Sequence, residues 1–149
     1  HESSERSVGR ICCLIISMVP FEEVANIWPE VSGFIEKSIE KFPARYSIVD
    51  VYEEILLHKQ SLWVAYDNEY LAAWTVRIAE YPQGRILNID WIGGKEPERW
   101  DVEAMTIMER YAKDMGCKRI SSFGRPGWKN RGKACGFAVV SYVFEKEVE

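Results

Sequence analysis

The sequence predicts an α/β fold of the α+β type, with a mixed, mainly antiparallel central sheet and helices packed on both faces. Two observations support this prediction. Stretches with an apolar residue every three or four positions flank a middle region of short strand-like runs, and Gly, Pro, Asn and Asp punctuate that region. A length of 149 residues with 47% hydrophobic side chains is typical of one globular domain.

The first apolar run, residues 11–19, predicts a buried strand, because it is too short to span a membrane. The chain starts with His1, which is typical of a purification tag, and Met18 is an alternative natural start. We therefore expect residues 1–17 to be a possible tag or extra N-terminal segment and residues 18–149 to form a single domain.

Helical periodicity runs from Pro20 to about residue 41. Because Pro29 removes a backbone hydrogen bond inside this pattern, two helices are predicted, over residues 20–28 and 30–41. A further short helix is predicted over residues 51–59, with Asp50 as its N-terminal cap.

Three strands are predicted in the middle of the chain, over residues 61–66, 70–79 and 85–92, separated by polar turns. The pair Gly93-Gly94 is expected to end the third. The remaining elements alternate in type. They are a helix over 96–115, a strand over 117–123, a short helix over 128–135 and a long final strand over 137–148, whose apolar first half predicts a central position.

The charge distribution argues against a nucleic-acid partner. The chain has 19 Lys and Arg against 23 Asp and Glu, a net charge of −4. A duplex binder needs clustered positive charge to replace phosphate counterions, and the short basic run 129–133 is too small for that. We therefore expect neither a nucleic-acid nor a membrane partner.

The four cysteines, Cys12, Cys13, Cys117 and Cys135, form no CxxC pair and no zinc-binding spacing. This usage favours a reducing, cytoplasmic compartment with buried thiols, and no metal site is expected. His58 is the one candidate histidine for a nucleophilic dyad. The alternative is that it ends a helix, where a cation is favoured by the helix dipole.

Residues 131–138 contain the pair Gly136-Phe137 between a predicted helix and the last predicted strand. Gly136 suits the end of a helix, because glycine readily takes the backbone conformation that other residues disfavour there. Phe137 is placed to pack under the sheet. With this pair and its order of elements, the chain from Met18 onward resembles the GCN5-related N-acetyltransferases (GNAT). It also resembles small acetyltransferase-like proteins of tailed bacteriophages, which share strand–Gly-Gly–helix and Gly-Arg-x-Gly-Trp arrangements.

The resemblance implies transfer of an acetyl group from acetyl-CoA to an unknown amine, either a small molecule or a peptide. Active family members grip the coenzyme pyrophosphate with backbone amides of a Gln/Arg-x-x-Gly-x-Gly/Ala motif. The motif is not met here, because Pro97 deletes an amide donor and Glu96 and Glu98 repel a diphosphate. The cofactor-binding candidates are Ile92, Gly93, Gly94, Lys95, Arg99, Gly124, Arg125 and Trp128.

Two residues are catalytic candidates on the same resemblance. Asp90, on the third predicted strand, is the candidate general base, since burial beside a cleft raises a carboxyl pKa. Its alternative is a solvent-facing Asp or one paired with Arg85 or Arg119. Tyr142, on the last predicted strand, is the candidate general acid, and its alternative is a core aromatic.

The segment from Gly124 to Trp128 follows a strand and opens a helix, which is where open sheets tend to place ligands. Arg125 is suited to holding an anion, and Trp128 to stacking on a base or peptide. The alternative is a tight turn with Trp128 as a lid on the core.

A second function class also fits the sequence. The departure from the coenzyme motif and the six Trp residues favour a non-catalytic GNAT-like binding or assembly module, with a protein partner or a homodimer. Trp91, Trp100 and Trp128 fall near the expected cofactor site. If they line an open cleft, coenzyme binding is favoured, and if they fill it, the binding module is favoured.

Overall fold

The computed structural model describes residues 13–124 and 128–148. Its centre is a five-stranded sheet in the order β1-β2-β3-β4-β5. Neighbouring strands are antiparallel except β4 and β5, which are parallel. The strands are β1 (Ile15–Met18), β2 (Ser61–Tyr66), β3 (Tyr70–Tyr81), β4 (Gly84–Gly94) and β5 (Cys117–Ser122).

Helices cover both faces of this sheet, as the sequence predicts. They are α1 (Val24–Glu40), α2 (Ile48–Leu56), α3 (Asp101–Asp114) and α4 (Lys129–Ala134). Helices α1 and α2 bury Val31, Ile35 and Ile55 in one core. Helix α3 packs on the other face, where Trp74 and Trp100 stack with ring centroids 6.0 Å apart. The mixed, mainly antiparallel sheet with helices on both faces is therefore confirmed.

The two helices predicted around Pro29 are one continuous helix, so the predicted break is wrong. Pro29 lies inside α1, which is preceded by a short 3₁₀ turn at Phe21–Glu23. One missing backbone hydrogen bond is outweighed here by burial of Val31, Ile35 and Ile39 under the sheet.

Helix α2 begins earlier than predicted, and its cap is a different residue. Ser47 is the N-cap, and Asp50 is the third residue of a capping box. The Ser47 hydroxyl accepts from the Asp50 amide at 3.2 Å, while Asp50 Oδ2 accepts from the Ser47 amide at 2.8 Å. His58 lies past the end of the helix with φ 60° and stacks on Phe21.

Strand β1 lies at the sheet edge, so the predicted buried strand is wrong in its burial. Ile15 is 53% exposed, because among the described residues β1 pairs with β2 alone. Strand β4 continues through Gly93-Gly94 instead of ending before them. A Cβ on Gly93 would lie 2.1 Å from the Phe34 carbonyl oxygen, so this glycine is needed for α1 to pack closely on the sheet.

The long final strand predicted over residues 137–148 is wrong. Within the described part of the chain, these residues form neither helix nor strand after α4 ends. Phe137 packs against the core, but Val140, Tyr142 and Phe144 are exposed. Apolar composition predicted a central strand, yet no strand among residues 13–124 and 128–148 pairs with this segment. No helix of the described residues is long and apolar enough to cross a membrane.

Candidate functional site

A cleft opens where β4 separates from β5. The parallel ladder between them ends at the pair Ile89 and Ser122, while β4 continues for several residues beyond it. The separation coincides with a β-bulge. On β3, Thr75 pairs with Trp91 and Val76 pairs with Ile89, so Asp90 has no partner residue. Bulges re-aim side chains and are common beside functional sites, and this one lies where the ladder between β4 and β5 ends.

The cleft has a volume of about 1800 Å³ and is more basic than the protein as a whole. Its lining holds nine Lys or Arg side chains and five Asp or Glu side chains, in a chain with a net charge of −4. The basic residues are Lys37, Lys41, Arg45, Lys59, Arg77, Lys95, Lys129, Arg131 and Lys133. A concave, positively charged surface concentrates anionic ligands.

Asp90 lies in this cleft, held by two neighbours. Arg77 Nε donates to Oδ2 at 2.9 Å and its terminal nitrogen donates to Oδ1 at 3.2 Å, a forked ion pair. Gln60 Nε2 also donates to Oδ2 at 3.1 Å. Asp90 is partly buried, and its ion-pair partner is Arg77 instead of Arg85 or Arg119. The ion pair fixes the carboxylate and raises the pKa of the Arg77 guanidinium.

A second carboxylate, Glu54 of α2, lies beside Asp90. Gln60 Nε2 donates to Glu54 Oε1 at 3.1 Å as well as to Asp90, so one buried amide joins the two carboxylates. Tyr46 Oη donates to Glu54 Oε2 at 2.9 Å. This bond, together with burial, raises the pKa of the Tyr46 phenol. Within the described residues, no cation lies within ion-pair distance of Glu54.

Sequence reasoning missed Glu54, Arg77, Tyr46 and Gln60. They come from α2, from β3 and from the loops beside α2, so nothing in their spacing along the chain brings them together. The one available signal was strand alternation. Arg77 interrupts an otherwise apolar stretch of β3, and a charged residue there needs a partner across the sheet.

Aromatic side chains form the wall beside these carboxylates. Trp91 meets Phe42 and Tyr46 edge-on, with ring centroids 6.2 and 5.6 Å apart, and Phe42 meets Phe123 at 6.3 Å. Trp91 is only 5% exposed, yet its indole N–H has no acceptor among the described residues. The aromatic side chains therefore form a closely packed wall, and the Trp91 N–H is buried within it.

The predicted cofactor loop is present, but its cations are engaged. Lys95 pairs with Glu69, and Arg99 pairs with Asp67 and Glu96 at 3.2 Å each. Ile92 donates its amide to Ser38 Oγ, and Gly94 packs on Ala72 of β3 as tightly as Gly93 packs on α1. The two glycines are therefore needed for close packing of the backbone, independently of any ligand in the cleft.

The opposite wall of the cleft comes from α4 and the loop before it. Gly124 and Trp128 line the cleft, whereas Arg125 lies outside the described residues. Arg131 donates twice to Asp101 Oδ2, at 2.8 and 2.5 Å, and so ties α4 to the start of α3. Asp101 Oδ1 is buried without a hydrogen-bond partner in the described part of the chain, a second unpaired polar atom on the cleft lining.

Neither Trp91 nor Trp100 plugs the cleft. Trp100 is a core residue whose Nε1 donates to the Lys95 carbonyl at 2.9 Å, and Trp91 packs under α1 as part of the wall. Tyr142 lies on the cleft lining, 76% exposed, so the alternative of a core aromatic is wrong for it.

Comparison with known proteins identifies the fold from solved structures, whereas comparison by sequence finds no relative. No protein-family model matches the sequence, and no curated protein sequence matches it. Glucosamine-6-phosphate N-acetyltransferase from Arabidopsis thaliana superposes with a TM-score of 0.64 at 14% identity, covering 91% of this chain and 99% of that chain. The aminoglycoside acetyltransferase meta-AAC0020, from an uncultured soil metagenomic sample, gives 0.68 at 10% identity, with coverages of 91% and 95%.

A predicted acetyltransferase from Clostridium acetobutylicum, solved with acetyl-CoA, superposes with a TM-score of 0.62 at 12% identity, covering 90% of this chain and 96% of that chain. At such identities the likeness establishes the fold alone. This protein has the fold of the GCN5-related N-acetyltransferases.

Proposed function

We propose that the protein is an N-acetyltransferase that uses acetyl-CoA to acetylate an amine. The observation that carries this proposal is the basic cleft at the point where β4 separates from β5. In an acidic protein, such a cleft favours a polyanionic ligand, and coenzyme A with its phosphates is one.

The proposed coenzyme contacts are divided between the two sides of the cleft. Lys129 and Lys133 of α4 and the first-turn amides of α3 would hold the phosphates, since those amides have no acceptors within the helix. Lys95 and Arg99 would bind phosphate only after their ion pairs with Glu69 and Asp67 break. Ile92, Gly93, Gly94, Gly124, Arg125 and Trp128 remain proposed cofactor residues. When bound, acetyl-CoA supplies the acetyl group as an activated thioester.

The proposed acceptor site is the pair of carboxylates beside the aromatic wall. An amine arrives largely as an ammonium, which must lose a proton before its nitrogen can attack. Asp90 is one candidate base, but Arg77 engages both of its oxygens. Glu54 is a second candidate, and its side-chain hydrogen bonds from the described residues come from the neutral groups of Tyr46 and Gln60. Tyr142, an exposed residue of the cleft lining, remains the proposed general acid.

The first experiment is isothermal titration calorimetry with acetyl-CoA, followed by a thiol-release assay with a panel of primary amines and peptides. We expect saturable binding and amine-dependent release of coenzyme A. Absence of both heat and thermal stabilisation at millimolar acetyl-CoA would contradict the proposal.

That negative result would favour the second candidate, a non-catalytic binding or assembly module. The observation supporting it is that the cations of the predicted coenzyme loop are engaged by Glu69 and Asp67. A phage origin stays a prediction from the Gly-Arg-x-Gly-Trp arrangement, part of which lies outside the described residues.

A further inference from the structure

A second concave surface, the α1 groove, lies between α1 and the edge of the sheet at β1 and β2. Helix α1 packs mainly over β3 and β4, so the strands beyond them form the floor of a groove beside the helix. The helix lines it with Ile27 and Glu30, and the strands line it with Ile15, Val64 and Tyr66. Its volume of about 750 Å³ lies within the range of about 300–1,000 Å³ that is usual for small-molecule sites.

Two tyrosines at the turn between β2 and β3 line the α1 groove. Tyr66 ends β2, Tyr70 begins β3, and the two residues pair across the hairpin. Their rings meet edge-on, with centroids 4.9 Å apart. Neither hydroxyl has a hydrogen-bond partner among residues 13–124 and 128–148. The hairpin therefore brings two aromatic rings and two available hydroxyl oxygens to the groove.

The charge of the α1 groove is negative because Glu30 is unpaired. The lining also contains Glu69 and Lys95, but these two form an ion pair with each other. In the described part of the chain, the Glu30 carboxylate has neither an ion pair nor a hydrogen bond. Burial raises the pKa of the Tyr70 phenol, and the negative charge of Glu30 raises it further. Glu30 is therefore an uncompensated negative charge close to the tyrosines.

The α1 groove and the cleft select ligands of opposite charge. The cleft is lined by more basic than acidic side chains, whereas the groove has an unpaired carboxylate, which repels an anion. A cation gains a charge-assisted interaction with Glu30 and the attraction of an aromatic ring face. An apolar part of the same ligand gains burial against Ile27 and Val64.

We propose that the α1 groove is a binding site for a small organic cation, an ammonium group that carries a short apolar chain. The ammonium lies between Glu30 and the tyrosine pair, and the chain lies along Ile27 and Val64. Because Glu30 is exposed and the groove is open, we expect an affinity of about millimolar. The site does not depend on the proposed acetyl transfer, since neither Asp90 nor Glu54 belongs to its lining.

The test compares three ligands that share one chain and differ in head group: hexylammonium, hexan-1-ol and hexanoate. Proton–nitrogen correlation spectra recorded during each titration give the affinity and identify the amides that shift. We expect hexylammonium to shift the amides of Glu30, Tyr66 and Tyr70, hexan-1-ol to bind more weakly and hexanoate to bind most weakly. Equal affinity for hexylammonium and hexan-1-ol would overturn the proposal, as would shifts confined to residues of the cleft.

Two pairs of variants test the contacts themselves. Glu30→Gln should weaken hexylammonium binding about two- to fivefold and leave hexan-1-ol unaffected, whereas Glu36→Gln, on an exposed residue of α1 outside the groove lining, should change neither. Tyr66→Leu should weaken hexylammonium by a similar factor, and Tyr66→Phe, which keeps the ring, should retain binding. Unchanged affinity in either Glu30→Gln or Tyr66→Leu would contradict the proposal. These titrations contain no acetyl-CoA, so failure of the acetyltransferase proposal would not affect them.

Discussion

Arg77 and Asp90 form a forked ion pair across β3 and β4, with the Arg77 Nε to Asp90 Oδ2 distance at 2.9 Å, at the bulge where β4 leaves β5. The pair holds the Asp90 carboxylate in the cleft, and the Arg77 guanidinium balances its negative charge. Asp90 has no partner residue on β3, and the ion pair holds its side chain in one orientation.

Replacing Arg77 should therefore destabilise the protein through Asp90. Arg77→Met keeps much of the aliphatic stem but leaves a carboxylate that is mostly buried without its counter-charge. We expect a loss of about 1–2 kcal/mol of unfolding free energy, reduced because Arg77 is itself 42% exposed. Chemical denaturation of the single variants and of Arg77→Met, Asp90→Asn measures the coupling. Additive effects would show that the pair is not coupled.

The base can be assigned by comparing Glu54→Gln with Asp90→Asn. If Glu54 accepts the proton, Glu54→Gln should lower kcat by about 10²–10⁴-fold. Glu53→Gln, on the exposed neighbour in the same helix, is the matched control and should retain the activity. Should Asp90→Asn alone lower kcat to that extent, Asp90 is the base and Glu54 is not.

Binding of the coenzyme should depend on the charge of α4. Lys133→Glu places a negative charge on the basic wall and should weaken acetyl-CoA binding about five- to tenfold at low salt. Lys113→Glu, near the end of α3 and away from the cleft lining, should have little effect. Calorimetry at two ionic strengths measures both variants, and the difference should shrink as salt is added. Equal effects of the two variants would contradict phosphate binding at this wall.

Gly93 should tolerate no side chain, whereas Gly33 should. A Cβ at position 93 meets the Phe34 backbone oxygen at 2.1 Å, and backbone cannot move aside easily. Gly93→Ala should cost about 1–3 kcal/mol, measured by denaturant unfolding. Gly33→Ala lies in α1 with open space around its Cβ and should stabilise by about 0.5–1 kcal/mol. A stable Gly93→Ala protein would mean that α1 does not pack as closely as described.

The capping box at the start of α2 makes stability depend on acid pH. The Ser47 amide and hydroxyl donate to Asp50 and hold the pKa of that carboxyl below its usual range. A carboxyl with a lowered folded-state pKa stabilises the protein above its unfolded pKa, and this contribution is lost as the pH falls through the folded value.

Asp50→Asn should therefore remove a stabilisation that is present at neutral pH and absent in strong acid. Ser47→Ala should cost about 1 kcal/mol at neutral pH. Thermal unfolding from pH 7 down to the acid limit checks both. If the Asp50→Asn and parent curves stayed parallel throughout, Asp50 would not contribute through its charge.

Local pattern alone predicted much of the fold. Strand β2 begins and ends where its alternation predicts, and β5 begins as predicted and ends one residue early. Helix α3 ends about as predicted but begins at Asp101 instead of residue 96, after a 3₁₀ turn at Pro97–Arg99. These elements combine strong periodicity with clear turn residues, so local preference and tertiary packing agree. Pro29 shows the limit, since burial of α1 outweighed the local signal for a break.

The sequence by itself determined the fold class, the acidic balance of the chain and the region of the candidate site, because composition and periodicity are properties of neighbouring residues. Only the tertiary structure decided which groups meet there. Asp90 was visible as a candidate, but its pairing with Arg77 and its link to Glu54 through Gln60 depend on strand register and on how α2 packs.

The end of the chain shows the same division. Residues 137–148 have the composition of a buried strand, and composition was enough to predict one. A strand exists only where another strand supplies the hydrogen-bond partners, and within this chain none does so among the described residues. Whether such a segment forms a strand therefore depends on the sheet edge that is available to it, and the sequence of the segment alone does not specify that edge.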